Sequence, residues 1–303
     1  MGCSGTKADQ TGENNGKFTY PKCSYTIQFD IELRSMLAVD NDKVLLGSRE
    51  GIKILNINTK EITEYSNEHV GRINMLIKLK NGLVVSCGQD KTLKIWDLNK
   101  TKSIATMTGH TSMIWSISEL SDGDLVTGSD DKTIRIWDMK EYKEKCILHE
   151  SETECGAVIG LKNGRLLTSY ENKVILYDVS SKSSLVEHEI FPGIWFFTEL
   201  TNGHIACGSG NGDIHVIDVT DNSIKEVSRF IGGHKKSINN LIQVSNNYLL
   251  SSADEDTMII WNLNNPDSKY NLTGHTEIIT CTTMTENRKI ISWAKDKLLK
   301  VWI

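Results

Sequence analysis

A repeat of about 41 residues runs through this 303-residue chain and limits its folding options more than any other feature. Residues 91–100 (KTLKIWDLNK) and 132–140 (KTIRIWDMK) agree almost position for position, and Trp96 and Trp137 stand 41 apart. Trp261 and Trp302 repeat that spacing, and weaker copies place Leu55, Tyr177 and Ile217 in the same phase. The seven marker positions are therefore separated by 41, 41, 40, 40, 44 and 41 residues. Histidine gives an independent check. Six of the eight (His69, His110, His149, His188, His234 and His275) follow one another at 41, 39, 39, 46 and 41. A unit this short cannot bury a core by itself, so each copy must pack on its neighbours.

Within a unit the text reads as short strands. MIWSISEL, LVTGS and TIRIW in the third copy are separated by SDGD and DDK, and β-branched runs broken by Gly, Asp and Asn are strand–turn punctuation. No segment sustains a helical period. The composition, 39% hydrophobic and 24% charged with 23 Gly and 3 Pro, is that of a globular protein. The 7 Cys are odd in number and form no CxxC pair, so neither a disulfide framework nor a zinc site is indicated.

Units of 40–45 residues with about four strands, a Gly-His pair early (Gly109-His110, Gly274-His275) and Trp-Asp late resemble the WD-repeat family of β-propellers. The resemblance spans residues 17–303 and implies an all-β ring of seven blades, preceded by a flexible tail over 1–16. In that family each repeat begins with the outer strand of one blade and continues into the inner strands of the next. The sequence ends just after Trp302, so the seventh blade needs an outer strand from elsewhere, and residues 18–29 (FTYPKCSYTIQF) are expected to supply it. Such closure ties the two termini into one sheet and removes an open edge.

Three units hold a full set of His, Ser or Thr, Asp and Trp: His69, Ser86, Asp90 and Trp96; His110, Thr127, Asp131 and Trp137; His275, Ser292, Asp296 and Trp302. A fourth has His234, Ser251 and Trp261 with Glu255 at the Asp position. Ser-His-Asp triads come to mind, but a set that recurs once per blade with its own Trp reads as a structural hydrogen-bond network, because a buried indole N–H needs an acceptor. No catalytic residue, cofactor or metal is expected. Blade one lacks both His and Trp. Blade four (His149, Thr168, Glu171, Tyr177) and blade five (His188, Cys207, Asn211, Ile217) depart from the pattern, so networks in those three are in doubt.

The resemblance also implies partner contacts on the face where the His turns gather. Carried over by register, these are Arg72, Asn74 and Gln89; Met113, Trp115 and Asp130; Asn239 and Asp254; and Lys295. Matching the strand in blades four and five adds Glu154 and Tyr170, then Trp195. Aromatics among carboxylates would favour a basic peptide or protein segment. The net charge of −5 argues against nucleic acid, and no small-molecule substrate is indicated.

At the N-terminus, Met1-Gly2-Cys3-Ser4-Gly5-Thr6 matches the signal for myristoylation of Gly2, with Cys3 open to palmitoylation. Two such lipids anchor stably where one does not. With no secretory core in the leader, the expectation is a cytoplasmic, peripheral membrane interaction scaffold. The alternatives are a substrate receptor of a ubiquitin ligase complex or an enzyme on a propeller scaffold.

Overall fold

A computed structural model describes residues 13–303 apart from 15, 16, 101, 191, 221 and 222, and it places the repeat in seven four-stranded antiparallel sheets. In blade three the strands run Ile114–Glu119, Leu125–Ser129, Thr133–Asp138 and Lys143–Glu150 from the innermost outwards. The other blades repeat that order, with innermost strands Leu33–Ala38, Ile73–Lys78, Cys155–Gly160, Ile194–Glu199, Ile238–Ser245 and Ile279–Met284. Second strands such as Leu125–Ser129 are buried along their whole length, because both faces of a blade lie against neighbouring blades. Each hydrophobic cluster accordingly draws on two adjacent blades; Val85, Ile95 and Met107 of blade two pack with Ile114, Leu125 and Trp137 of blade three.

The ring closes as expected. Cys23–Gln28 pairs antiparallel with Leu298–Trp302 and becomes the outer strand of blade seven. Lys22 and Ile303 exchange backbone hydrogen bonds of 2.8 and 3.0 Å beyond that ladder. The Tyr25 hydroxyl donates to the Ile57 carbonyl at 2.5 Å, carrying the joint into blade one. Ahead of this strand, Phe18 stacks on Tyr248 at 3.9 Å and Tyr20 on Tyr270 at 4.3 Å, which lays the leader along blade six. Glu13–Asn14 pairs with Lys17–Phe18, so a short strand pair straddles the expected tail boundary at 16. Gly2 and Cys3 lie outside the described residues.

We call the face bearing the His turns the upper face. Every innermost strand starts there, and the turns joining second to third strands rise beside it.

Candidate functional site

In four blades the polar set forms a continuous relay. Trp96 Nε1 donates to Ser86 Oγ at 2.7 Å, Ser86 lies 2.6 Å from His69 Nε2, and His69 Nδ1 lies 2.7 Å from Asp90. The corresponding distances are 2.8, 2.7 and 2.8 Å for Trp137–Thr127–His110–Asp131, and 2.9, 2.8 and 2.9 Å for Trp302–Ser292–His275–Asp296. Blade six completes the same relay with a longer acid: Trp261–Ser251 is 2.8 Å, Ser251–His234 2.7 Å and His234–Glu255 3.1 Å.

The direction of these bonds follows from donor counting. An indole N–H only donates, so the hydroxyl oxygen accepts it and spends its own proton on His Nε2. The imidazole proton then sits on Nδ1 and is donated to the carboxylate. Burial works against charge on Asp90 and Asp131, yet hydrogen bonds from the His, from Val70 or Thr111 N–H, and from Thr92 or Thr133 outweigh it and hold both carboxyls down at about 2. Burial also pushes His110, His234 and His275 below the usual imidazole range, against the pull of their acids. A neutral His beside an ionised carboxylate is therefore the stable arrangement. All four hydroxyl residues are 0% exposed, so no substrate atom could reach them as nucleophiles.

Among the described residues, blades one, four and five build no such relay. Leu55 and Ile217 replace the Trp and are fully buried in apolar clusters. In blade four His149 packs against the rings of Tyr170 and Tyr177 at 5.2 and 5.8 Å, and both buried phenol oxygens have no hydrogen-bond partner among the described residues. His215 of blade five bonds Glu226 at 2.6 Å instead, a pairing that the repeat register did not point to.

The central channel opens on the upper face as a cavity of about 430 Å³. One position per blade lines its mouth, the second residue of each innermost strand: Arg34, Asn74, Trp115, Gly156, Trp195, Asn239 and Thr280. A local cause puts them there. In all seven blades the pairing of innermost and second strands slips at this residue; in blade three Ile114 faces Ser129 while Ser116 faces Gly128. The extra residue of a bulge leaves the ladder, and its side chain is re-aimed.

Five of the register-derived contact positions, Asn74, Trp115, Trp195, Asn239 and Asp254, line this mouth. Backbone bonds clip Gln89 to Arg72, Asp130 to Met113, Gly210 to Gly193, Asp254 to Ser237 and Lys295 to Ile278, at 2.9–3.1 Å. Trp115 Nε1 donates to Asp130 at 2.6 Å, and Trp195 stands 52% exposed. Burial raises the Asp130 carboxyl, Glu154 and Asp131 add to this, and the Trp115 hydrogen bond opposes it. Two positions also have structural work: Asn74 donates to the Ile114 carbonyl and Asn239 to that of Ile279, each stapling the next blade.

Tyr170 is a correction. It sits inside the second strand opposite Cys155, only 4% exposed, so it presents nothing to a partner in this conformation. The turn after it is one residue shorter than in blade three, and the exposed Glu171 takes the place equivalent to Asp130. Arg34 and Glu32 were missed, because blade one has no His from which to count; matching Leu33 to Ile73 would have found them. Glu32 bonds Arg72 at 3.0 Å and approaches Arg49 at 3.6 Å.

The family model for the WD domain, G-beta repeat, matches residues 67–97 and 101–138, the units that hold the relays of blades two and three. The chain is a seven-bladed β-propeller that carries WD repeats at those residues. Among curated proteins it is similar to apoptotic protease-activating factor 1 of Homo sapiens, 32% identical over 100 residues, and to that of Mus musculus, 27% identical over 100 residues. Each match takes in 33% of this propeller and 8% of the relative's length, so the likeness concerns repeats and leaves most of those proteins uncovered.

Proposed function

We propose that this propeller is a non-enzymatic interaction platform whose upper face holds a peptide or protein segment across the channel mouth. The observation that carries the reading is the bulge ring, which turns Trp195 out to 52% exposure and places Trp115 with it in the lining of one cavity. Tryptophan is among the residues most enriched at binding hot spots, which sit in pockets that a partner closes off from water. Asp130 accepts from Trp115, Glu154 lies near enough to Asp130 to raise it, and Asp254 shares the cavity lining. These carboxylates favour a basic segment, whose cation also stacks well on Trp. The buried relay hydroxyls support the absence of catalysis in this reading. Affinity capture tests it. Asp130→Lys is expected to lose the proteins retained by wild type while melting at the same temperature, and retention by this variant contradicts it.

Acylation of Gly2 and Cys3 forms the second half of the proposal, giving a cytoplasmic, peripheral membrane protein. In support, the leader joins blade seven at Lys22, the end of the sheet opposite the His turns. An anchor there would leave the upper face directed away from the bilayer. Cell fractionation of wild type and Gly2→Ala decides: a membrane pool lost on substitution supports the tether, and equal distribution refutes it.

A further inference from the structure

Seven arginines lie in the described residues, and six have an acceptor. Arg49 and Arg72 share Glu32, Arg135 meets Glu144, Arg165 meets Asp178, Arg229 meets Asp213 and Arg288 donates to the Val244 carbonyl. Arg34 has neither a hydrogen bond nor an ion pair among the described residues. It sits at the bulge position of blade one, in the channel lining, with its guanidinium carbon 5.8 Å from the ring centroid of Trp115 in blade three. That indole is itself fixed by its 2.6 Å hydrogen bond to Asp130. The cation thus lies within cation–π range of a held aromatic ring, and no protein acceptor among the described residues takes its N–H fork.

We propose that Arg34 receives a carboxylate from the bound segment, so that the partner carries one acidic group set among basic residues. The inference rests on the platform reading above and narrows its partner chemistry. A guanidinium takes a carboxylate through two parallel N–H···O bonds, and stacking on an indole leaves that edge free. A phosphate monoester would bring nearly twice the negative charge into a mouth where Asp254 lines the wall and Asp130 holds Trp115, so the monoanion fits better. The carboxylate can be an Asp or Glu side chain or the free C-terminus of the segment, and the test separates these.

Phage-displayed random peptides, presented either internally or with a free C-terminus, would be selected on the full-length protein, on Arg34→Ala and on Trp195→Ala. Wild type is expected to enrich Lys- or Arg-rich peptides that hold one Asp or Glu, or that end in a free carboxylate. In the best resynthesised peptide, replacing the acid by its amide is expected to weaken wild-type binding about tenfold and Arg34→Ala binding not at all. Arg34→Lys, which keeps the charge but not the fork, restores part of the difference, and equal melting temperatures show that the variants fold. Enriched peptides without an acidic group, or an amide replacement that weakens both proteins equally, overturn the proposal. If basic peptides depend on Trp195 but ignore Arg34, the carboxylate inference fails and the platform stands. Peptides indifferent to both, or no enrichment, remove both.

Discussion

Blades two, three, six and seven pin their innermost turns with a Trp–hydroxyl–His–acid relay, whereas blades one, four and five hold the same shape without one. Each relay gathers four polar side chains and leaves none of them unpaired. The other blades succeed only by going apolar, as with Leu55 and Ile217, or they leave orphans, as with the Tyr170 and Tyr177 hydroxyls. A second contrast lies at the bulge ring. Asn74, Asn239 and Thr280 bond the next blade, so there the ring invests its channel position in cohesion. Trp115 and Trp195 make no such bond among the described residues, and they interrupt the repeat. Residues that obey the repeat hold the ring together; Trp115 and Trp195, which break it, line the channel mouth.

The largest expected effect comes from blade seven, the relay blade built from both termini. Deleting residues 17–30 strips its outer strand and the Tyr25 contact, and the melting temperature is expected to fall by roughly 10 °C or more. An unchanged melt would show that the relay closes the ring without the strand. His110→Ala leaves Thr127 and Asp131 buried without their partner and is expected to cost about 2–3 kcal/mol in chemical unfolding. His188→Ala, in a blade with no relay, is expected to cost under ~0.5 kcal/mol. The reverse order would mean that the relays are not what separates the blades.

Acid should affect the two groups of blades differently. His110, His234 and His275 have depressed folded-state values, so the unfolded state takes up protons first, and their contribution is full above the ordinary imidazole value of about 6.5 and drains as pH falls below it. Asp90 and Asp131, held at about 2, add a further loss between the ordinary carboxylate value near 4 and about 2. Hydrogen exchange at pH 5 against pH 7 is expected to loosen blades three, six and seven more than blades one and four. Uniform loosening would show that the relays do not set local stability. The smallest effect is a hydroxyl deletion. Tyr170→Phe removes an unpaired oxygen and is expected to be neutral or slightly stabilising in chemical unfolding, whereas Thr127→Val costs about 1–3 kcal/mol.

Much of this was legible because a repeat reports itself. Spacing located the seven units, and the resemblance to WD repeats turned them into blades with relay sets in blades two, three, six and seven and a closing strand within residues 18–29. What the repeat does not encode was harder to see. Glu255 reaches His234 despite its longer side chain, which residue type alone left open. Tyr170 was misplaced because a turn shortened by one residue shifts the surface position onto Glu171. Asn74 and Asn239 were read only as contacts for a partner, since a bond to the next blade leaves no mark within a single unit. Arg34 stayed hidden in a blade that lacks the His used for counting.

The division of labour between repeat-keeping and repeat-breaking residues can be tested with one pair of tryptophans. Trp137→Phe and Trp195→Ala would be followed side by side for melting temperature and for the proteins captured on the full-length propeller. The account predicts a lower melting temperature with capture retained for Trp137→Phe, and an unchanged melting temperature with capture lost for Trp195→Ala. Full capture by a normally folded Trp195→Ala variant would contradict it.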